Sequence, residues 1–523
     1  MRTSRCSRRD RSGELPVGTL AGVLPHPRPA RPTPRLLADV AGSVSRPLPP
    51  GSDDVRLTGV TLDSHAVRDG DLYAGLPGAR THGAMFAHQA VRAGARAVLT
   101  DPTGAGYADG CGVPVLVVDD PRERLGEISR LIYGDPVPRL IGITGTNGKT
   151  TVSYLVEAGL RAAGLATGLI GTVETRIGHD VLPSARTTPE APDLQALLAV
   201  MGERGVQAVA MEVSSHALAL HRVDGLRFAV AAFTNLSQDH LDFHGDLEDY
   251  FAAKARLFDG RAEHEVVDID GPYGRRLAGA GTVTVSAVGD PLATWWASDV
   301  QEQPGAGSRF TVHGPDAEVV AMRVRLPGRF NVANALLALA VLATAGVDPR
   351  AAADGIAGTT VPGRMEPIDV GQPFTALVDY AHTPDAVRTL LSALRPVTGG
   401  RLVIVLGCGG DRDAGKRPLM GEAAARAADL LVVTDDNPRS EDPAAIRAAM
   451  RAGTDRVPAG QRAEVVVVAG RRAAIAHAVG AAGAGDTVVV AGKGHEQGQE
   501  IAGVTAAFDD RQVLRELIGS LVR

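Results

Sequence analysis

Short apolar runs recur along most of the chain, each ending in a polar or glycine-rich cluster, and helical stretches separate them. From residue 36 to residue 138 those helical stretches are rich in alanine. This alternation of strand and helix predicts α/β domains whose sheets are mostly parallel. The runs before residue 250 are Ala97–Leu99, Pro114–Val118, Leu140–Thr144, Val206–Val213 and Phe228–Phe233.

The last third of the chain carries three strong strand signals. They lie at Leu402–Leu406, Leu430–Thr434 and Thr487–Ala491, and each is followed by polar or glycine residues. In open α/β sheets, ligands bind beyond the carboxyl ends of the strands. We therefore expect a binding site where these three strands end.

The chain of 523 residues is long enough for about three domains. Proline residues near 137 and the segment Val361–Arg364 mark two boundaries, so we predict domains over 35–138, 139–362 and 363–523. Residues 1–34 are rich in arginine and proline and have no apolar periodicity. We predict a disordered basic tail there, with a basic interaction arm as the alternative.

Composition excludes several classes of protein. Apolar residues make up 44% of the chain and charged residues 22%, as in soluble globular proteins. No apolar stretch is long enough to span a membrane or to form a signal-peptide core, and a net charge of −6 argues against general nucleic-acid binding. The three cysteines have no metal or disulfide spacing. We expect a cytoplasmic monomer with no membrane insertion and no nucleic-acid partner.

Lysine is scarce. Of 54 lysine and arginine residues, four are lysine: Lys149, Lys254, Lys416 and Lys493. A lysine retained in an arginine-rich chain suggests a role that arginine cannot perform, such as a compact point donor or a reactive amine. All four lie in segments that carry other chemical signals.

A glycine loop follows the strand at 140–144 and precedes a helix. In such loops, backbone N–H groups surround phosphate, a lysine reaches the terminal phosphates and a threonine hydroxyl binds Mg²⁺. Only two residues separate the two glycines, so the spacing differs from the common phosphate-loop motif, and a simple glycine-rich turn is the alternative. The predicted ATP-binding residues here are Gly145, Thr146, Asn147, Gly148, Lys149, Thr150 and Thr151, with Thr150 also on the metal.

The next buried strand ends at Glu212. A carboxylate beside a phosphate loop is a suitable Mg²⁺ ligand, because magnesium prefers oxygen donors. Taken alone, Glu212 could equally be a solvated strand end.

Four motifs in this order resemble the Mur ligase family: the glycine loop, Glu212–His216, Thr234–Gly245 and Ala253-Lys254. The resemblance covers roughly residues 57–517. It implies a central P-loop ATPase domain with a parallel sheet, an N-terminal α/β domain that binds a UDP-sugar and a C-terminal Rossmann-like α/β domain.

The resemblance also implies roles for the central residues. Lys254 would be carbamylated by CO2, with a helix-surface lysine as the alternative, and two Mg²⁺ ions would be bound. Lys149, Lys254, His240 and Glu212 would be catalytic, and Thr150, Glu212, His240 and Lys254 would hold metal. Further ATP contacts would come from Asn331, Arg364, Asp379 and His382, although Asn331 alone could cap a helix.

Three segments of the last domain distinguish members of the family: Gly407–Pro418, Asp435–Arg439 and Gly492–Glu496. The Asp-Asn-Pro-Arg sequence is similar to that of members that add meso-diaminopimelate, and lysine-adding members lack its arginine. Diaminopimelate has one carboxylate more than lysine, and a guanidinium is its best bidentate partner. A loop salt bridge is the alternative role for Arg439. The implied amino-acid site is Arg412, Asp436, Asn437, Pro438, Arg439, Gly492 and Glu496.

The same resemblance places the nucleotide-sugar dipeptide. Its implied contacts are Leu62, Ser64, Ala79, Arg80, Thr81, Thr187, Thr188, Ser214 and Arg222. The sequence departs from the commonest pattern at Arg186, usually asparagine, and at Leu220, usually glutamine, so contacts at these two positions are in doubt.

The implied reaction is ATP-dependent addition of meso-diaminopimelate to UDP-N-acetylmuramoyl-L-alanyl-D-glutamate through an acyl phosphate, in cytoplasmic peptidoglycan precursor synthesis. Other amino-acid ligases of the superfamily are alternatives: lysine-adding, D-alanyl-D-alanine-adding or folylpolyglutamate-forming. A non-ligase P-loop nucleotide-binding protein is the alternative from a different class, but it would leave Lys254, His240 and the third domain unexplained.

Overall fold

The computed structural model describes residues 27–78, 80–136, 138–184, 186–303 and 307–521. Its main sheets lie in three successive parts of the chain, at 59–117, 139–324 and 366–491. Each sheet is built on runs of buried valine, leucine, isoleucine and alanine. The fold is therefore three consecutive α/β units, as the sequence predicted.

The first unit has a parallel sheet with strand order β3-β4-β5-β6. Its core is aliphatic and includes helices α1 and α4. The strands are β1 (Arg35–Leu36), β2 (Arg56–Leu57), β3 (Gly59–Thr61), β4 (Asp71–Ala74), β5 (Ala97–Thr100) and β6 (Val115–Val117). The helices are α1 (Leu37–Ser43), α2 (Ala87–Arg92), α3 (Pro102–Tyr107) and α4 (Pro121–Tyr133).

The second unit carries the longest sheet. Its strands are β7 (Arg139–Thr144), β8 (Thr167–Ile170), β9 (Glu174–Ile177), β10 (Asp180–Pro183), β11 (Ala208–Glu212), β12 (Phe228–Phe233), β13 (Ala262–Asp268), β14 (Val283–Ser286), β15 (Trp295–Gln303), β16 (Gly307–His313) and β17 (Val319–Val324). Its helices are α5 (Lys149–Ala162), α6 (Ala191–Glu203), α7 (Ser215–Ala219), α8 (Leu241–His244), α9 (Leu247–Ala255), α10 (Pro272–Leu277), α11 (Arg329–Thr344) and α12 (Pro349–Ala357).

This sheet is parallel in the middle and antiparallel at both edges. The strand order is β10-β9-β8-β11-β7-β12-β13-β14-β15-β16-β17, and β8, β11, β7, β12, β13, β14 and β15 run parallel. The antiparallel edge strands did not stand out in the sequence. In β17, buried and exposed residues alternate, which is typical of a strand with one solvated face and gives no continuous apolar run.

The third unit confirms the three strong strand signals. The strand order is β18-β19-β23-β20-β21-β22, parallel except for β18. Its strands are β18 (Glu366–Pro367), β19 (Thr375–Asp379), β20 (Leu402–Cys408), β21 (Leu430–Asp435), β22 (Glu464–Val467), β23 (Thr487–Ala491), β24 (Gly498–Ile501) and β25 (Val504–Ala507). Its helices are α13 (Pro384–Leu394), α14 (Lys416–Ala427), α15 (Pro443–Thr454), α16 (Arg471–Ala481) and α17 (Asp510–Leu521).

The predicted disordered tail extends too far. Residues 1–26 lie outside the described part of the chain, but the Arg28 side chain is only 7% exposed and its guanidinium lies 3.2 Å from the Asp71 carboxylate. The backbone N–H groups of Ala30 and Arg31 donate to the Glu203 carboxylate at 2.8 and 3.0 Å. The segment is ordered by these ionic contacts rather than by apolar burial, so a search for apolar periodicity could not find it.

Within the described residues, no helix is long and apolar enough to cross a membrane.

Candidate active site

The glycine loop connects β7 to α5, as predicted. Gly145 has φ 142°, and a Cβ atom there would lie 1.9 Å from the Thr234 hydroxyl, so only glycine fits. Gly148 has φ 88°, in the region that favours glycine. The Lys149 amine donates to the carbonyls of Gly145 and Thr146 at 2.9 and 2.8 Å. The lysine thus closes the loop at the N-terminus of α5.

The segment that follows β12 holds the glycine loop from the other side. The Thr234 hydroxyl donates to the Asn147 carbonyl at 2.6 Å, and the Asn147 N–H donates to the Asn235 side-chain oxygen at 3.1 Å. The Ser237 N–H donates to the Thr146 hydroxyl at 3.0 Å. Two strand ends therefore define the loop conformation together, which fits the adjacent positions of β7 and β12 in the sheet.

Glu212 ends β11 beside the first turn of α5. The Thr150 hydroxyl lies 3.0 Å from both oxygens of this buried carboxylate. Thr172 donates to the same carboxylate from its N–H at 2.7 Å and from its hydroxyl at 3.0 Å. The contacts exclude a solvated strand end and bring two predicted metal ligands together.

These oxygen donors fit a magnesium ion. Magnesium is usually held by one or two protein oxygens and completes its octahedron with water and phosphate. In the described part of the chain, no three His, Cys, Asp or Glu side chains form a metal-binding group, but a site shared with a nucleotide phosphate needs none.

Lys254 is a buried residue of α9, not a surface lysine. It is 1% exposed, its amine donates to the Gly145 carbonyl at 2.7 Å, and it lies 4.3 Å from the centre of the Tyr250 ring. Burial and the nearby Lys149 hold the pKa of Lys254 well below its usual range. Both lysines therefore point at the same carbonyl of the glycine loop.

His240 precedes α8 with φ 53°. Its ring lies 4.9 Å from that of His216 and 6.2 Å from that of Tyr250, centre to centre. His240 and His216 line one wall of a cleft of about 1390 Å³ between the second and third units. The Tyr250 ring is near both His240 and the Lys254 amine, so His240 lies on the same side of the cleft as Lys254.

The opposite wall of this cleft holds most of the predicted amino-acid site. Six of its residues line the cleft: Arg412, Asp436, Asn437, Arg439, Gly492 and Glu496. Pro438 is not among the lining residues, and its carbonyl packs against Gly410. The ends of β20, β21 and β23 meet at this wall, so residues 80 positions apart in the sequence share one surface.

Arg439 has an unusual backbone conformation. Its φ is 53°, in the left-handed region that costs a residue with a β-carbon about 1–2 kcal/mol. Its N–H donates to the Glu500 carbonyl at 3.0 Å and its carbonyl accepts from Ala502 at 2.6 Å. Its guanidinium donates to the Gly410 carbonyl at 2.7 Å and lies 3.6 Å from the Glu500 carboxylate. Backbone strain held by such contacts is typical of functional positions.

The predicted nucleotide contacts gather at the junction of the units. Arg364 stacks on the Tyr380 ring at 4.3 Å and reaches the Thr150 hydroxyl at 3.4 Å. Asp379 accepts N–H groups of Met365 and Ala381, both at 2.8 Å.

The other two predicted nucleotide contacts, His382 and Asn331, lie in different surroundings. His382 lines the cleft, and burial lowers its pKa. Asn331 is buried in α11, and its side chain donates to the Pro327 carbonyl at 2.8 Å. That hydrogen bond favours a structural role for Asn331 in the start of the helix.

The predicted dipeptide contacts form a cluster beside Glu212. The Thr188 hydroxyl donates to the Glu212 carbonyl at 2.8 Å and accepts from the Ser214 N–H at 3.1 Å. The Thr187 and Thr172 hydroxyls are 2.9 Å apart. Arg222 donates to the Thr188 carbonyl at 3.3 Å.

The predicted nucleotide-sugar contacts lie in the first unit, apart from that cluster. Ser64 is buried and Leu62 half-buried, whereas Arg80 and Thr81 are exposed. Ala79 lies outside the described residues. Of the two departures from the family pattern, Arg186 is exposed and Leu220 is half-buried.

Sequence reasoning missed residues in the site and residues that lie behind it. Thr172 follows a short strand and carried no motif, and Tyr380 stands between the predicted nucleotide residues Asp379 and His382 but was given no role. Arg471 is completely buried, pairs with Asp510 at 2.7 Å and donates to the Ala491 carbonyl at 2.9 Å. A buried arginine at the start of a helix leaves no recognisable signal in the sequence. Lys493 had a signal, the scarcity of lysine, but no role.

Three family models match successive parts of the chain. The model described as "Mur ligase family, catalytic domain" matches residues 56–133. The "Mur ligase middle domain" matches residues 143–342, and the "Mur ligase, glutamate ligase domain" matches residues 363–494. Each match falls on one of the three units.

Similar proteins share most of their length with the chain. The UDP-N-acetylmuramoyl-L-alanyl-D-glutamate–2,6-diaminopimelate ligase of Streptomyces avermitilis is 60% identical over 499 residues, which cover 94% of this chain and 98% of that protein. The ligase of the same name from Streptomyces coelicolor is 59% identical with the same coverage. A solved structure of a ligase of this name has a TM-score of 0.65 and 33% identity, and the match covers 92% of this chain and 99% of that one.

Proposed function

The chain belongs to the Mur ligase family, and we propose that it joins meso-diaminopimelate to UDP-N-acetylmuramoyl-L-alanyl-D-glutamate with ATP. The ATP γ-phosphoryl group activates the γ-carboxylate of D-glutamate as an acyl phosphate. The diaminopimelate amine then attacks the acyl carbon, the amide forms and phosphate leaves. This is a step of peptidoglycan precursor synthesis in the cytoplasm, and we propose that the enzyme works as a monomer.

One observation carries the proposal. Arg412, Arg439 and Glu496 line a single cleft that opens toward the domain of the phosphate loop. Two guanidinium groups suit carboxylates, and a carboxylate suits an ammonium group. An amino acid with a second carboxylate matches this set better than lysine does.

The phosphate loop supplies the ATP site of the proposal. The Lys149 amine, near the N-terminus of α5, is placed to neutralise the terminal phosphates. Arg364 and Thr150, which are in contact across the unit boundary, would bring the third unit onto the nucleotide. Catalysis would then depend mainly on positioning and charge neutralisation.

Thr150 and Glu212 would hold one Mg²⁺, and His240 with a carbamate on Lys254 would hold the second. These ions would neutralise charge on the transferring phosphoryl group. The carbamate forms when the neutral Lys254 amine adds CO2 and releases a proton. The burial of that amine and its lowered pKa support this modification, because only the unprotonated amine reacts.

Phosphate release provides the test of the ligase class. With ATP and Mg²⁺, release should require both the nucleotide-linked dipeptide and an amino acid, and in a screen of amino acids meso-diaminopimelate should be the best acceptor. Lys149→Ala should abolish release, whereas Arg472→Ala, at an exposed pair with Glu516, should not change it. Phosphate release without an amino acid would indicate a different P-loop enzyme.

A further inference from the structure

Lys493 lies directly behind the proposed amino-acid site. Its side chain has 0% exposure, whereas that of its partner Glu496 is 34% exposed and lines the cleft. Lys493 itself follows Gly492 at the end of β23. The positively charged amine of Lys493 is therefore buried directly behind the Glu496 carboxylate, which faces the cleft.

The lysine amine joins two residues of the site. It donates to the Asn437 side-chain oxygen at 3.0 Å and to Glu496 Oε2 at 2.8 Å. The Glu500 N–H donates to the same Asn437 oxygen at 3.1 Å. Because two donors face that oxygen, the Asn437 amide is fixed in one orientation, and its nitrogen donates to Glu496 Oε2 at 2.9 Å.

This network leaves a defined pair of groups for a ligand. Glu496 Oε2 is fully engaged, and among the described residues none donates to Oε1. Asn437 keeps a second N–H that the Glu496 contact does not use. An acceptor and a donor thus stand side by side at the cleft wall, as the ammonium and carboxylate of an amino acid require.

We infer that Lys493 is a specificity-determining positioning residue, whose buried charge lets the cleft accept an amino acid with two carboxylates. The inference rests on the proposed function. The cleft wall carries the carboxylates of Asp436 and Glu496 beside the two arginines. Lys493 offsets the charge of Glu496 from behind. Diaminopimelate has a net charge of zero, whereas lysine is a cation, so loss of this buried charge disfavours diaminopimelate relative to lysine.

A compact amine is needed for this task. A single ammonium reaches both acceptors from a fully enclosed position, whereas a guanidinium is planar and larger. Lys493 is thus one of the positions where this arginine-rich chain keeps lysine for a reason of shape.

The test compares two substrates in one variant. In Lys493→Met, the ratio of kcat/KM for meso-diaminopimelate to kcat/KM for L-lysine should fall at least about tenfold, the scale expected when a buried charge loses its partner. A purely structural role would lower both values together and leave the ratio unchanged. Arg472→Met, which removes an exposed positive charge from the same unit, is the control and should leave the ratio unaltered.

A double-mutant cycle tests the same role of Lys493 if Lys493→Met folds poorly. Lys493→Gln removes the charge and retains a donor, so it should shift the ratio in the same direction. In a Glu496→Gln background, the change in this ratio caused by Lys493→Gln should be at least about threefold smaller, because the negative charge of Glu496 that Lys493 offsets is absent. Equal shifts in both backgrounds, or an unchanged ratio, would overturn the inference. If wild type does not use diaminopimelate at all, the proposed function itself fails.

Discussion

At the scale of single residues, the candidate site depends on two buried lysine amines and on an arginine with a positive φ. The lysine count singled out Lys254 and Lys493, and both are buried against functional loops. Their partners could not be predicted, because Gly145 and Asn437 come from distant strands. The positive φ of Arg439 was also beyond prediction, since the pairing of its backbone with the hairpin at 498–507 imposes it.

Arg439 is predicted to select the amino acid. Arg439→Ala should raise the KM for meso-diaminopimelate at least tenfold, because a carboxylate that becomes buried on binding would lose its charged partner, at a cost on the order of 2–5 kcal/mol. The KM values for ATP and for the nucleotide-linked dipeptide should change little, and the poor use of lysine should be unaffected. Steady-state kinetics check this, with Arg451→Ala, whose half-exposed side chain pairs with Asp455 away from the cleft, as control. Unchanged diaminopimelate kinetics would remove Arg439 from the site.

Lys254 is predicted to need its amine. Lys254→Ala and Lys254→Arg should both lose most activity, because neither can form a carbamate. Millimolar-to-molar short carboxylates should partly restore the alanine variant, whose smaller side chain leaves room for them. Activity assays measure both effects, and mass spectrometry of the intact active enzyme should show the added CO2. A free amine in the active, nucleotide-bound enzyme would contradict the prediction.

At the scale of elements, the parallel strands were predictable and the antiparallel edges were not. Phe228–Phe233 and Thr487–Ala491 match their predicted bounds, because strands buried on both faces are continuous apolar runs. Strands β15 to β17 are solvated on one face, so polar residues interrupt their apolar ones. In the sequence they therefore do not stand out from the polar segments around them. The loops of the candidate site follow the buried parallel strands, and these are the strands that the sequence locates, so the position of the site could be predicted.

Asp268, the last residue of β13, has a shifted pKa that should make the stability of the protein depend on pH. Burial raises the pKa of Asp268 from 3.8 to about 7. Between pH 3.8 and about pH 7, the Asp268 carboxyl has lost its proton in the unfolded chain but keeps it in the folded chain. The contribution of Asp268 to the free energy of unfolding therefore falls as pH rises. Asp268→Asn keeps the oxygen that accepts the Asp270 N–H without the charge. Its thermal stability relative to wild type should increase from pH 5 to pH 8. A difference independent of pH would show that Asp268 does not titrate in this window.

At the scale of the whole molecule, the chain length, the boundary residues and the order of motifs predicted three units, and the cleft between the second and third is seen in the structure. The contacts between the segment before β1 and these units could not be predicted from the sequence. Arg28 contacts the first unit through Asp71, and Ala30 contacts the second through Glu203. This segment ties two units together by polar contacts, which have no periodicity in the sequence.

Removal of that segment should therefore destabilise the protein. A chain that begins at Arg35 leaves Asp71 buried without its arginine, at a cost on the order of 3 kcal/mol. A chain that begins at Pro27 keeps the pair and is the matched control. Calorimetry should show a lower transition temperature for the shorter chain only, and Asp71→Asn should recover part of the loss. Equal transition temperatures would show that the segment contributes nothing.

We propose above all that this chain selects a second carboxylate on the amino acid that it adds. A competition assay tests it most directly, with equal concentrations of meso-diaminopimelate and L-lysine, limiting UDP-N-acetylmuramoyl-L-alanyl-D-glutamate, ATP and Mg²⁺, and product masses measured by mass spectrometry. We predict the diaminopimelate product in at least about tenfold excess, the ratio that corresponds to ~1.4 kcal/mol of discrimination. Equal amounts of the two products, or an excess of the lysine product, would show that the chain does not select the second carboxylate.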